Sequence, residues 1–341
     1  MAAYLVRRVA WAWVVFLAVT LVTFVVFFVV PNGPPGAVQG HYTSQRLARE
    51  LAHTAGTDRP VLVQYVGYLR GLVDGSLGRS WLSRRPVDDV VLKAAPVTAS
   101  LVLGGVLIWL AIGLSVGVLS AVRQHSLLDR TTMIAVLVGI SAHPIWIGFV
   151  LLYLLSTRAH LFPGGGYCDF FSPPAHATCG GPAEWAWHLA LPCLTLAVFY
   201  AAMYVRMVRA NVLEVLDEDY VRTARAKGAS DLHVLVRHVL RNALLPVVTM
   251  LGMDVGLSLG AASFIEVVFG LPGLGRVAFE HLGFIRSLDT NTYTPPDLPV
   301  TAGIVVVMTV AIIVFNLVAD LLYGWIDPRI DVRGRESAIP V

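Results

Sequence analysis

Between Trp185 and Ile265 the chain reads WAWHLALPCLTLAVFYAAMYV (185–205), RMVRANVLEVLDEDYVRTARAKGASDLHVLVRHVLR (206–241) and NALLPVVTMLGMDVGLSLGAASFI (242–265). The outer two stretches are long enough to cross a bilayer core, which takes about 20 apolar residues. They carry His188 and Asp254 as their titratable groups. The middle stretch is charged and ordered. Glu214, Asp217, Glu218 and Asp219 precede Arg222, Arg225 and Lys227, an order that complements a helix macrodipole. Gly228 follows where a helix stop belongs. Short surface helices separated by a glycine turn fit this pattern. One reading lays them on anionic lipid headgroups. The mixed charge and compact punctuation favour the other, a docking site for a protein partner.

Four further apolar runs flank this region: Val9–Val30, Val97–Val122, Thr131–Thr157 and Leu298–Ala319. Six spans are therefore expected. Composition agrees. Of 341 residues, 56% are hydrophobic and 14% charged, against about 25% charged in a soluble domain, and the mean hydropathy is +0.71. The net charge of +3 says little. The first run follows Arg7 and Arg8 and could be a cleaved leader, but it exceeds a 7–15-residue leader core and runs into Pro31-Asn32-Gly33-Pro34-Pro35.

An even number of spans puts both termini on one side. With the termini inside, fourteen Lys and Arg fall on short inner segments and three (Arg158, Arg276, Arg286) on short outer loops. That bias predicts cytoplasmic N- and C-termini. Trp11, Trp13, Trp185, Trp187 and Trp325 lie near the expected span ends, where indoles favour the interface.

On this topology residues 1–30 hold the first span and 31–96 form a long outer loop. Residues 97–323 form the core with its inner loop at 206–241, and 324–341 a cytoplasmic tail. The pairs Leu47/Leu51, Leu62/Val66 and Tyr65/Leu69 are spaced i,i+4, so the long loop reads as a small cap of short helices, the second closed by Gly71 or Gly75. Such a cap either contacts a partner or shields the pore mouth. The outer loop 158–184 holds Cys168 and Cys179 on the oxidising side. They form a disulfide or remain two loop thiols. Cys193 reads as a small packing residue in the fourth span.

Catalytic signatures are missing. A Walker A loop needs Gly-Lys-Ser/Thr, yet the two lysines, Lys93 and Lys227, follow Leu92 and Ala226. No HExxH, GxSxG or HxxEH occurs. Intramembrane ionisable groups are few: Asp254, His143, His188 and, near an end, Asp320. A proton-coupled carrier usually places several there. Neither an enzyme nor a cofactor or metal site is expected.

The segment DEDYVRTARAKGAS (217–230) resembles the inner coupling loop of binding-protein-dependent ABC permeases. It is most similar to the B-type subunit of oligopeptide, dipeptide and nickel permeases. The resemblance covers nearly the whole chain. It includes YLVRRVAWAWVVFLAVTLVTF (4–24), DGSLGRSW (74–81), Leu128-Asp129-Arg130 with GISAHPIWIG (139–148), HLALPCLTLAVFYAAMYVRMVRANVLEVL (188–216), EVVFGLPGLGR (266–276) and DLLYGWIDPRI (320–330). Where the general motif begins Glu-Ala-Ala this chain has Arg222-Thr223-Ala224, then Gly228, and Leu245-Pro246 comes late. Both departures suit the peptide branch. Asp254 matches no family feature.

The resemblance implies an all-α, type I ABC importer fold in a bacterial plasma membrane, working by alternating access. It implies as partners a homologous second permease, two cytoplasmic ABC ATPases and an outer solute-binding protein, often a lipoprotein. Peptide is the implied substrate, with nickel, glutathione or haem as alternatives, and no nucleic acid. Tyr220, Val221, Arg222, Thr223, Ala224, Arg225, Lys227 and Gly228 are the expected coupling residues. Tyr220, Val221 and Ala224 form a small apolar face open to an ATPase groove, and the arginines reach its rim. Asp254 is a candidate for the substrate path or for the contact with the second permease. The rival classes are a stand-alone channel or carrier, which leaves the punctuated inner loop unexplained, and a membrane enzyme, which lacks a catalytic cluster.

Overall fold

A computed structural model describes residues 2–30, 60–171, 179–288, 291–292 and 296–326. Among these there is no strand. In chain order the helices are α1 (Ala2–Phe24, prolonged by a π turn Val25–Val29), α2 (Val61–Val73), α3 (Val87–Val122), α4 (Leu127–Ser141), α5 (Pro144–Leu151, prolonged by a π segment Leu152–Arg158), α6 (Pro182–Leu216), α7 (Asp219–Ala226), α8 (Asp231–Val234, followed by π residues Leu235–Val239), α9 (Leu240–Ala243), α10 (Leu245–Phe269), α11 (Leu274–His281) and α12 (Leu298–Ile326). α1, α3, α6, α10 and α12 are each long and apolar enough to cross a membrane unbroken.

The expected third span is broken. Pro144 lacks an N–H and pushes the residue before it out of the helical region. His143 is accordingly extended (φ −67°, ψ 138°). The helical runs on either side, Leu127–Ser141 and Pro144–Arg158, diverge by 109°. Other helices outrun their apolar cores. α3 starts at Val87 rather than Val97, with Asp88 and Asp89 in its first turn, where acids complement the dipole.

α3 and α6 form the spine. A Cβ built on Gly113 meets Tyr204 Cβ at 2.6 Å, and one on Gly117 meets Val208 Cβ at 2.8 Å. The glycines thus let the helices approach closely, which is the main route to dense packing where lipid removes the hydrophobic drive. Trp109 of α3 stacks on Tyr200 of α6 with centroids 4.5 Å apart. Gly252 of α10 sits directly on Ala319 of α12. α1 is peripheral. Its Arg8 pairs with Asp320 of α12 at 3.1 Å, and its Phe24 and Phe28 pack at a tilt against the rings of Tyr65 and Tyr68 of α2. Leu47 and Leu51 of the expected cap lie outside the described residues. Leu62, Tyr65, Val66 and Leu69 fall in α2, which closes with Ser76 N–H donating to Gly71 O at 2.9 Å and Gly75 at φ +78°.

Candidate functional site

The charged segment lies at the bundle end where α6 finishes. α6 runs to Leu216, Glu218 is extended (φ −68°, ψ 143°), and α7 begins at Asp219. Three amides close its far end. Lys227 N–H donates to Thr223 O (3.1 Å), Gly228 N–H to Arg225 O (2.9 Å) and Ala229 N–H to Ala224 O (3.3 Å). This six-to-one closure needs a left-handed residue, which Gly228 supplies at φ +82°. α7 is thus a capped eight-residue rod rather than a loop.

One face of the rod is fixed to the spine. Val221 is fully buried in the core cluster that also holds Val208 and Val212 of α6, Val234, Val239 and Ala243, while Ala224 and Ala229 are half-buried against the same cluster. The expected apolar face of Tyr220, Val221 and Ala224 therefore turns mainly toward the chain's own core, not outward. A helix this short and polar cannot hold a fixed pose without an anchor, and Val221 is the anchor. Tyr220 is 41% exposed, and Asn242 Nδ2 donates to its hydroxyl at 2.8 Å. Asn211 Nδ2 of α6 donates to Ala243 O at 3.2 Å, tying the return segment to the spine.

The outward face holds Arg222, Thr223, Arg225, Ala226, Lys227 and Gly228, all exposed. Arg222 meets Asp219 at 3.5 Å and Arg225 meets Asp231 at 3.8 Å. Exposed pairs of this kind are worth roughly 0–1 kcal/mol, so both guanidinium groups are free to exchange partners.

On α6, two turns before its end at Leu216, lies a clasp absent from the expected site. Arg209 of α6 donates to Asp129 of α4 through Nε at 2.7 Å and a terminal nitrogen at 2.9 Å. Asp129 also accepts from Ser120 Oγ of α3 (2.6 Å) and from the His125 amide (3.0 Å). Its own amide is capped by Ser126 Oγ at 3.2 Å. Asp129 is 4% exposed. A buried carboxylate so fully satisfied locks α3, α4 and α6 together.

Asp254 is 4% exposed, inside the bundle. Tyr204 of α6 donates to it at 2.8 Å. It thus joins α6 to α10 within this chain. At the end opposite α7, the Cys168 and Cys179 sulfurs are bonded at 2.08 Å, and His188 Nδ1 lies 3.2 Å from Cys168 Sγ. Two buried acids brace that end. Glu266 accepts from Thr98 Oγ1 (2.6 Å) and the Arg276 amide (3.0 Å), while Asp297 accepts from Ser80 and the Trp81 amide. Cys193 is free and buried, packed at Gly104.

Residues 113–332 match the family described as binding-protein-dependent transport system inner membrane component, and residues 1–102 match its N-terminal companion. The chain is 35% identical to the probable D,D-dipeptide transport system permease protein DdpB of Escherichia coli (strain K12), over 97% of this chain and 98% of that one. It is 38% identical to a putative peptide permease protein of Brucella suis biovar 1 (strain 1330), over 93% and 95%. In three dimensions it is similar to a chain of the inward-facing MetNI methionine ABC transporter, with TM-score 0.53 and 17% identity, over 70% of this chain and 96% of that one. That likeness bears on the fold alone. The chain belongs to the binding-protein-dependent transport system inner-membrane permease family.

Proposed function

We propose that this permease subunit imports peptides, forming half of a translocation path and receiving mechanical work from separate ATPases at α7. The relatives named for dipeptide and peptide transport support the substrate class. The observation that carries the coupling role is the form of α7: capped at Gly228, anchored by buried Val221, with its cationic face exposed.

A floppy contact would absorb a partner's movement, whereas a rod fixed to α6 passes it on. A push on the outward face reaches α6 through Val221 and Val212, and α6 spans the bundle. The Asp129–Arg209 clasp carries the same push to α3 and α4. The helices then move as a block, as alternating access requires. In this reading the α7 end and both termini face the cytoplasm, where the ATPases are. The disulfide end faces out and meets a solute-binding protein. A homologous second permease completes the path. Asp254 acts within this block as a contact between α6 and α10, and a substrate ammonium reaches it only by displacing Tyr204.

The test is uptake by the assembled transporter in proteoliposomes. Import of labelled dialanine that needs both ATP inside and binding protein outside supports the reading. Uptake that persists without ATP sinks it and favours a channel or carrier.

A further inference from the structure

The third span breaks where its polar residue sits, and three observations converge there. The first is His143 itself. It is exposed at the break, and its ring lies 6.5 Å from that of Phe264 on α10. Phe264 is five residues before the end of α10 at Phe269, about 7.5 Å along the axis at the helical rise, so the break lies inside the end of the helix rather than beyond it. Exposed ionisable side chains and irregular backbone at that depth belong in water-lined space.

The second observation fixes the chemistry of the ring. Nδ1 accepts the Ile145 N–H at 3.3 Å. The ring proton therefore resides on Nε2. His143 thus presents its Nε2–H as a donor away from its own helix.

The third observation is an exposed stripe on α10. α10 is exposed along a single stripe, Pro246, Thr249, Met253, Leu257, Gly260 and Phe264, and is at least half-buried elsewhere. A Cβ on Gly113, Gly117, Gly139, Gly148 or Gly256 would press on a neighbour, and Gly252 likewise sits on Ala319. Gly260 has nothing within 4 Å. A mid-helix glycine is unfavourable relative to alanine, and among the described residues no contact accounts for Gly260, nor for Gly67 of α2.

We propose that His143, Gly260 and Phe264 form a wall of the peptide's path. His143 Nε2–H donates to an acceptor oxygen of the passing peptide, a backbone carbonyl or the terminal carboxylate. Gly260, one turn from Phe264, makes room for the peptide backbone, and Phe264 meets apolar side chains. The inference rests on the peptide-import reading above.

The test uses the whole transporter in proteoliposomes with dialanine as probe. His143→Leu should lower uptake at sub-saturating dialanine about ten-fold, the scale of one lost hydrogen bond in a partly dry site, by raising KM. His143→Gln, which restores a donor, should recover most of it. Gly260→Cys should react with a charged, membrane-impermeant thiosulfonate, and dialanine with its binding protein should slow that reaction several-fold. Three results overturn the proposal: an unreactive Gly260→Cys, which means lipid contact; cross-linking to the second permease that substrate does not affect, which means a subunit interface; or equal uptake by His143→Leu and the unaltered transporter. Failure of the peptide reading shows differently, as no dialanine uptake by the unaltered transporter, and removes this proposal with it.

Discussion

Gly228 allows the coupling role of α7 to be tested by a graded perturbation. Its φ of +82° is left-handed, and a Cβ built there meets nothing within 4 Å. The cost of replacing it is therefore backbone strain alone, about 1–2 kcal/mol for an ordinary L-residue. Asparagine tolerates this region and should lose least. Alanine comes next, and β-branched valine sits at the top of the range. A penalty of 1–2 kcal/mol multiplies the frayed population of the α7 end roughly 5- to 30-fold. Val221 still anchors the first turn, so membrane insertion and the spine should be unchanged. Dipeptide uptake and substrate-stimulated ATP hydrolysis should fall together in the order Gly, Asn, Ala, Val. Hydrogen exchange at Lys227, Gly228 and Ala229 should rise in that order. Equal transport by all four chains, with exchange showing α7 frayed, would refute the claim that a rigid α7 transmits the work.

Other sites give independent checks. Asp129→Asn leaves Arg209 without its charge partner and should cost about 3 kcal/mol, read as a lower unfolding temperature in detergent; an unchanged temperature removes the clasp from the account. Cys168→Ser opens a short loop and should destabilise the disulfide end by about 2–3 kcal/mol on the chain-entropy picture. Peptide mapping of unreduced protein should recover Cys168 and Cys179 on one linked peptide, and two freely alkylated thiols would contradict this. Asp254→Asn keeps an acceptor for Tyr204 and should support uptake of neutral and cationic dipeptides alike; selective loss of the cationic one would place Asp254 in contact with substrate.

The apolar runs made the spans legible, because lipid demands length and apolarity before anything else. The break at His143 escaped that reading. Hydropathy counts side chains, while the break follows from the N–H that Pro144 lacks. α3 begins at Val87 because Asp88 and Asp89 end the apolar run but not the helix. In the charged segment, Gly228 announced the helix stop. The spacing of Tyr220, Val221 and Ala224 announced an apolar face but not what covers it, and the cover proved to be the chain's own core, in the cluster that also holds Val208 and Val212. Asp129 and Arg209 are 80 residues apart, and Thr98 and Glu266 are 168 apart. No local periodicity connects such pairs. The nearest local signal was Ser126 three residues before Asp129, a helix-start pattern that placed the acid in a first turn.

If α7 couples the permease to its ATPase, its outward face touches that partner. A photo-cross-linking residue at Ala226, exposed on that face, tests it directly in the assembled transporter. Ala226 should capture an ATPase subunit, and the same probe at Phe171, which is 91% exposed at the opposite end, should capture none. Capture of lipid alone at Ala226, or of the ATPase at Phe171, would contradict it.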